Sequence, residues 1–298
     1  MKILKPVLKD WRDKRFSFAR HFGATTTFAN NYNADIGEWM QNQNGDNRPS
    51  QCTAYAVVDI CSNEDGFRYS EDYQFMKTLQ LMGVTNEQWG ADARQAAKVP
   101  CVYGLLPRDD EPAEMFSKSQ AWSANPSNWI KEHDDKALQF KKPAYLPIQP
   151  IVQDWFDSIR SALDKGRDEK RVISMASRWS PDFSSAKLTD NPQSLYWGHD
   201  YDCVGWKTID GLPYLIIKSW QGENYGDNGY CYMSRTLCNN LMKEWGTYVF
   251  TYKKLPDGTT VEQLKAENDL LRDAVARLTT LIQNLYIKLS YGFSKLSR

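Results

Sequence analysis

Apolar residues recur at helical spacing through the first half of the chain and gather in shorter, strand-like runs in the second half. From Cys52 the run CTAYAVVDICS places apolar side chains at the i, i+3, i+4 spacing of one helix face. A buried helix is therefore predicted to begin at Cys52, with Ser50 as its N-cap. Further helices are predicted near 71–81, 92–99 and 153–165.

The later runs predict strands. RVISMAS, from Arg171, is one of them, and the runs DYDCVGWKTI and PYLIIKSW flank Asp210-Gly211, a pair typical of a two-residue hairpin turn. A further strand is predicted at 230–234. Because the helices come first and the strands follow, the pattern predicts an α+β fold and not an alternating βαβ fold.

A separate repeat fills the C-terminal stretch 261–298. Leucine recurs at the d positions of a heptad, with β-branched residues and one asparagine at the a positions. This pattern predicts a coiled-coil helix that joins copies of the chain as a parallel dimer, with a trimer as the alternative because further leucines widen the seam. The seam positions are Val261, Leu264, Asn268, Leu271, Val275, Leu278, Ile282 and Leu285.

These patterns divide the chain into four parts. Residues 1–40 are predicted to form an extended segment laid over the domain, and 41–255 to form the α+β domain itself. A linker at 256–260, with the turn sequence PDG, leads to the coiled coil at 261–298. The polar run QNQNGDNRPSQ just before Cys52 is predicted to be a loop within the domain.

Composition and charge narrow the classes of function. Lys+Arg and Asp+Glu number 37 each, so the charge balance favours neither nucleic acid nor a membrane surface as partner. The six cysteines show no CxxC spacing, so we expect reduced thiols with no disulfide framework, metal site or cofactor. The polar N-terminal run does not resemble a secretory signal, so cytoplasmic synthesis is expected, with a virion or another assembly as an alternative final location.

Cysteine and histidine supply the candidate chemistry, because a cysteine nucleophile needs a base that accepts its proton. Of the three histidines, His133 lies in the charged run KEHDDK and His21 in the N-terminal segment. His199 stands at the start of a predicted strand. Cys52 stands at a predicted helix N-terminus, where the helix dipole and free N–H groups favour a thiolate. Cys52 and His199 are therefore the candidate pair.

Two segments carry a family resemblance. The first, WGHDYDCVGWKTIDGLPYLIIKSWQGENYGDNGYCYMS, resembles the histidine half of papain-like cysteine peptidases, which reads His-Ala-Val, Gly-Tyr, a hairpin, Asn-Ser-Trp-Gly and Trp-Gly-x-x-Gly-Tyr. The second, NQNGDNRPSQCTAYA, resembles the segment that holds the nucleophile in the same family. The resemblance implies a papain-like α+β fold, in which a helical half carries the cysteine and a β-barrel-like half carries the histidine.

The resemblance also implies residue roles. Cys52 attacks the scissile carbonyl, and His199 acts as base and then as acid. Gln43 helps to hold the oxyanion, with Gln41 as an alternative, and Trp220 covers the site. One family residue has no match: the asparagine that orients the imidazole is aligned with Lys218, whose ammonium would oppose imidazolium formation. We therefore expect Ser219 or Gln221 as alternative orienters if the alignment shifts.

The predicted function is a cysteine peptidase that cleaves polypeptides without a cofactor. One alternative is a catalytically weak papain-like module that serves as an oligomeric binding or structural component, for example of a phage virion. A second alternative is a peptidoglycan-cleaving amidase or endopeptidase. The long separation between Cys52 and His199 and the SW…YG…GY segment argue against this second alternative.

Overall fold

Antiparallel strands and the helices packed on them make up the folded part of the chain. The computed structural model describes residues 27–35, 40, 42–43, 50–84, 90–112, 131–150, 154–195, 197–244, 247–252 and 277–278. Gln41, the linker 256–260 and all the predicted seam positions except Leu278 lie outside these residues. The chain divides into two units, Met1–Lys254 and Leu255–Arg298.

Within the described ranges, four α-helices come before the main strands, and two of them start at a side-chain cap. They are α1 (Cys52–Asp65), α2 (Glu71–Met82), α3 (Ala93–Val102) and α4 (Lys131–Ala137). Side-chain oxygens of the preceding Ser and Asp residues cap α2 and α3. The N-cap of α1 is Gln51, and no side chain caps that end, so the prediction that Ser50 caps it was wrong.

Later in the chain, two helices and six strands complete the described fold. A short strand, β1 (Tyr32–Asn33), comes before all of them. The helices are α5 (Trp155–Lys165) and α6 (Arg235–Leu241). The strands are β2 (Tyr145–Pro147), β3 (Ile173–Trp179), β4 (Trp197–Ile209), β5 (Leu212–Lys218), β6 (Tyr230–Ser234) and β7 (Tyr248–Tyr252).

The strands form one antiparallel sheet in the order β2-β7-β3-β4-β5-β6, and β1 pairs with the second half of β4. Asp210 and Gly211 join β4 to β5, and both have a positive φ, as a tight hairpin turn of this hand requires. Helices and an antiparallel sheet are segregated along the chain, so the predicted α+β class is confirmed.

Helices cover both faces of the sheet. On one face, Phe156 and Ile159 of α5 pack against Tyr201 of β4. On the other face, Val58 of α1 packs in the same core as Val204 of β4. Since successive strand residues point to opposite faces, β4 presents one set of side chains to α5 and the other to α1. None of the described helices combines the length and the hydrophobicity that a membrane span requires.

The N-terminal segment enters the sheet itself. Tyr32 pairs with Trp206, and Asn33 pairs with Gly205. A Cβ on Gly205 would lie 2.0 Å from the carbonyl oxygen of Tyr32, so the close approach of β1 needs glycine there. The described part of the extended segment predicted at 1–40 therefore contributes a strand to the sheet.

Candidate active site

Cys52 is the first residue of α1, and it is partly buried. Its side chain packs beside Trp220 and Tyr55, and its thiol is hydrogen-bonded to the backbone of Asp200. Desolvation raises the pKa of the Cys52 thiol to about 12, and the Asp200 carboxylate acts in the same direction. The thiol is therefore protonated at neutral pH in this state.

His199 lies near the start of β4, where it pairs with Ser177 of β3. The residue is only 5% exposed, and the Trp179 ring stands edge-on to the imidazole at a centroid distance of 5.1 Å. Burial lowers the pKa of His199 to about 4. The imidazole is therefore neutral at neutral pH.

Cys52 and His199 lie on two sides of the same strand segment. His199 shares the α5 face of β4 with Tyr201, whereas Asp200, which contacts the Cys52 thiol, has the opposite orientation. Within the described part of the chain, Cys52 Sγ makes no hydrogen bond to a ring nitrogen of His199. In this state the thiol and the imidazole are therefore both neutral and do not form an ion pair.

Ser219 brings a polar side chain to the imidazole. Its Oγ lies 3.5 Å from His199 Nε2, at the long limit of a hydrogen bond. Gln221 Nε2 donates to the same Oγ at 3.4 Å, so Gln221 reaches the histidine through the serine. Of the three orienter candidates, the structure brings Ser219 to the ring directly and Gln221 indirectly.

Lys218, the third candidate, is directed away from His199. Its ammonium lies on the α1 face of the sheet, 2.7 Å from Asp59 Oδ1 and 3.3 Å from Asp35 Oδ1. The side chain is fully buried, and these ion pairs raise its pKa although burial alone would lower it. The expectation that Lys218 stands beside the imidazole is therefore wrong, because strand alternation gives that place to Ser219.

The Lys218 cluster connects three parts of the chain. Asp35 follows β1, Asp59 belongs to α1, and Lys218 ends β5. Asp202 of β4 lies beside Asp59, and burial together with the Asp59 charge raises the pKa of Asp202 well above its ordinary value. Tyr230 of β6 donates a hydrogen bond to Asp35. This buried network fastens the cysteine helix to the histidine sheet.

Gln43 comes before α1 in the sequence, and it lies next to the segment that follows β5. Its backbone N–H donates to the carbonyl of Trp220 at 3.1 Å, and Asn42 pairs with Gln221 next to it. The Gln43 side chain is buried, and its Oε1 has no hydrogen-bond partner among the described residues. The segment after β5 therefore contacts both Gln43 and Cys52.

Trp220, which the family resemblance predicts to cover the site, packs beside Cys52. It is fully buried, and its indole N–H donates to the carbonyl oxygen of Asp200 at 2.7 Å. The ring also packs near Tyr55 of α1, at a centroid distance of 6.0 Å. Trp220 thus closes the space between α1 and β4 directly beside Cys52.

Asp35 and Asp59 belong to the framework of the site, although no motif of the sequence marks them. Asp59 stands in an otherwise apolar stretch of α1, and a buried carboxylate requires a cation partner. This requirement predicts a lysine or arginine side chain opposite Asp59. As for metals, no cluster of His, Cys, Asp and Glu able to hold an ion occurs in the described ranges.

Comparison with known proteins supports the fold. Residues 160–247 match the family model described as papain family cysteine protease. The structure is similar to xylellain, a cysteine protease from Xylella fastidiosa, at 20% identity and a TM-score of 0.66, covering 86% of this chain and 96% of that one. No curated protein sequence matches the chain.

Two further solved structures are similar. Digestive procathepsin L2 proteinase from Tenebrio molitor larval midgut has 14% identity and a TM-score of 0.60, with 84% of this chain and 78% of that one covered. Bromelain protease from Ananas comosus, in complex with the E64 inhibitor, has 16% identity and a TM-score of 0.51, with 76% and 100% covered. The papain-like fold is thereby confirmed. The family match contains His199 and Ser219, whereas Cys52 and Gln43 precede it.

Proposed function

We propose that this chain, papain-like in its family match and its fold, is a cysteine peptidase with Cys52 as nucleophile and His199 as base. One observation carries the proposal: Trp220, in the loop after β5, contacts both the N-terminus of α1 and the start of β4. The Cys52 thiol contacts the residue next to His199 there. A cysteine at a helix N-terminus beside a histidine is the arrangement that thiol hydrolysis needs.

The proposed reaction begins with transfer of the Cys52 proton to His199 as the sulfur attacks the scissile carbonyl carbon. The backbone N–H of Cys52 and the side-chain amide of Gln43 donate to the oxyanion. His199 then protonates the leaving amine as the C–N bond breaks, and water hydrolyses the thioester. Hydrogen bonds of catalytic pairs are often long without substrate and shorten when substrate binds, which accommodates the neutral resting pair.

Hydrolysis by the full chain tests the proposal. The protein is incubated with a denatured protein substrate, and new N-termini are identified by mass spectrometry. We expect cleavage that iodoacetamide pretreatment abolishes and that EDTA leaves unchanged. Absence of any cleavage across a broad peptide pool, with the chain folded, would overturn the peptidase proposal.

A second candidate, a catalytically weak papain-like module that binds a protein partner, is favoured by the same resting geometry. The thiol is hydrogen-bonded to the Asp200 backbone and not to the imidazole, and the pKa values of Cys52 (about 12) and His199 (about 4) keep both groups neutral. This candidate predicts a folded protein with no peptide cleavage and with Cys52 alkylation no faster than that of a free thiol.

Replacing Ser219 with Ala is expected to lower kcat/KM by about 2- to 10-fold, the equivalent of one neutral hydrogen bond. The effect is small because the contact between Ser219 Oγ and His199 Nε2 is long, at 3.5 Å. Ser219→Asn, which offers an amide oxygen to the same nitrogen, is expected to restore or exceed the parent rate. A loss of more than about 100-fold in Ser219→Ala would show that the serine has a larger role than orientation.

We also propose that the tail joins copies of the chain. Only Arg277 and Leu278 of the tail are described; both are helical, and the predicted seam residue Leu278 is 59% exposed. Deleting residues 259–298 is expected to convert an oligomer into a monomer, as measured by light scattering with multiple-angle detection. A full-length protein that is already monomeric would contradict the proposal.

A further inference from the structure

Asp200 is a buried carboxyl group that the proposed reaction does not use. It follows His199 directly in β4 and is 0% exposed. Its Oδ1 accepts a hydrogen bond of 2.7 Å from the hydroxyl of Ser174. Its Oδ2 is buried and has no hydrogen-bond partner within the ranges that the structure describes. A carboxyl group half satisfied in this way is costly to ionise.

The backbone of Asp200 contacts two residues of the candidate site, Trp220 and Cys52. Its carbonyl oxygen accepts the indole N–H of Trp220, and its backbone is hydrogen-bonded to the Cys52 thiol. Its side chain has the α1 orientation on β4, on the side of the strand from which Cys52 approaches. The carboxyl group and the nucleophilic sulfur therefore belong to one buried group of residues.

We propose that Asp200 is a positioning residue for Cys52. The buried Asp200 carboxyl group permits the thiol to ionise while that carboxyl group is protonated. Once the carboxyl group is ionised, it opposes formation of the thiolate. The inference rests on the proposed nucleophilic role of Cys52. Two negative charges in one desolvated site repel each other strongly, because little solvent separates them. Burial raises the pKa of Asp200 to about 8, so the change falls within an accessible pH range.

Other charged groups surround this face of β4, and none of them replaces Asp200 beside the sulfur. From α1, Asp59 lies further along the helix, and from β5 Lys218 pairs with it. On β4 itself, Asp202 lies beside that ion pair. From β3 the contact is the neutral hydroxyl of Ser174. The opposite face of β4 carries His199, which is neutral above pH 4.

The pH dependence of Cys52 alkylation tests this inference on the full-length protein. Iodoacetamide reacts with the thiolate, so the rate constant rises tenfold per pH unit while the thiol is mostly protonated. We expect this rise to weaken near pH 8 in the parent protein, where the charge of ionised Asp200 adds to burial in raising the pKa of the thiol. The modified peptide is quantified by mass spectrometry between pH 6 and 10, so labelling of other cysteines does not interfere.

Asp200→Asn keeps the shape of a protonated carboxyl group and removes the titration. Its alkylation rate is expected to match that of the parent below pH 7, to rise without a break, and to exceed the parent rate by about 5-fold or more at pH 9.5. Asp202→Asn is the matched control, since this residue has the same orientation two positions along β4 but lies beside Asp59. The break near pH 8 is expected to remain in that variant.

Ser174→Ala gives an independent measurement if Asp200→Asn does not fold. Removing the hydroxyl takes away the hydrogen bond that favours the Asp200 carboxylate, so the break should move to higher pH. Superposable pH profiles for the parent, Asp200→Asn and Ser174→Ala proteins would overturn the inference, whether or not the protein cleaves peptides. A break near pH 8 without peptide cleavage would support the inference and contradict the peptidase proposal.

Discussion

Replacing Cys52 with Ala is expected to lower kcat/KM for peptide hydrolysis by more than about 10³-fold. The variant keeps Gln43 and the backbone N–H groups of the proposed oxyanion site, so any residual rate comes from binding and oxyanion stabilisation alone. Alanine fits the site without steric strain, because the substitution only removes the sulfur atom from the first residue of α1. The measurement is steady-state hydrolysis of a fluorogenic peptide pool.

Cys101→Ala is the matched control for this loss. Cys101 is the other described cysteine that is only partly buried, and it lies in α3, away from β4. Its replacement is expected to leave kcat/KM within about 2-fold of the parent value, as for a packing residue far from the reacting atoms. Equal losses in the two variants would show that reduced stability, and not loss of the nucleophile, explains the Cys52 result.

Replacing Lys218 with Met is expected to lower the free energy of unfolding of the main unit by about 3–5 kcal/mol. The substitution removes the ammonium that lies 2.7 Å from Asp59 and leaves that carboxylate buried without its cation. Asp59 is 2% exposed, so solvent cannot compensate for the loss. Urea unfolding, followed by tryptophan fluorescence, measures the change.

Two companion variants make the Lys218 measurement specific. Lys187→Met removes an exposed lysine whose ammonium lies 3.7 Å from Asp210, and no measurable change in the midpoint of urea unfolding is expected. The double variant Lys218→Met with Asp59→Asn removes the closer ion pair completely and should recover part of the loss, because of the two carboxylates that face Lys218 only Asp35 then remains without its cation. A single Lys218→Met variant as stable as the parent would contradict the structural role of the cluster.

Local patterns explain why much of the fold was predictable from the sequence. The strand predicted at 230–234 is β6 with the same bounds, and the Asp210-Gly211 turn joins two strands as predicted. The predicted helices near 71–81 and 153–165 are present, with ends shifted by one or two residues. Each of these elements is determined by periodicity, capping or turn chemistry within a short stretch of sequence.

Long-range pairing explains what the sequence did not reveal. A two-residue strand such as β1 has no pattern of its own, and it exists because Gly205 lets Tyr32 approach β4. Lys218 was aligned with the family's asparagine, but the spacing after β5 places Ser219 beside His199. The proton affinities of Cys52 and Asp200 depend on burial, which a linear motif does not encode.

The most direct test of the account is covalent labelling with a peptidyl epoxide, a reagent directed at the thiols of cysteine peptidases. Intact-mass spectrometry after incubation is expected to show one adduct per chain, located on Cys52 by peptide mapping. The rate of labelling should fall by at least about 10²-fold in His199→Ala, because the imidazole no longer accepts the thiol proton. A folded parent protein that forms no adduct on Cys52, or that reacts at the same rate without His199, would contradict the proposed Cys52–His199 pair.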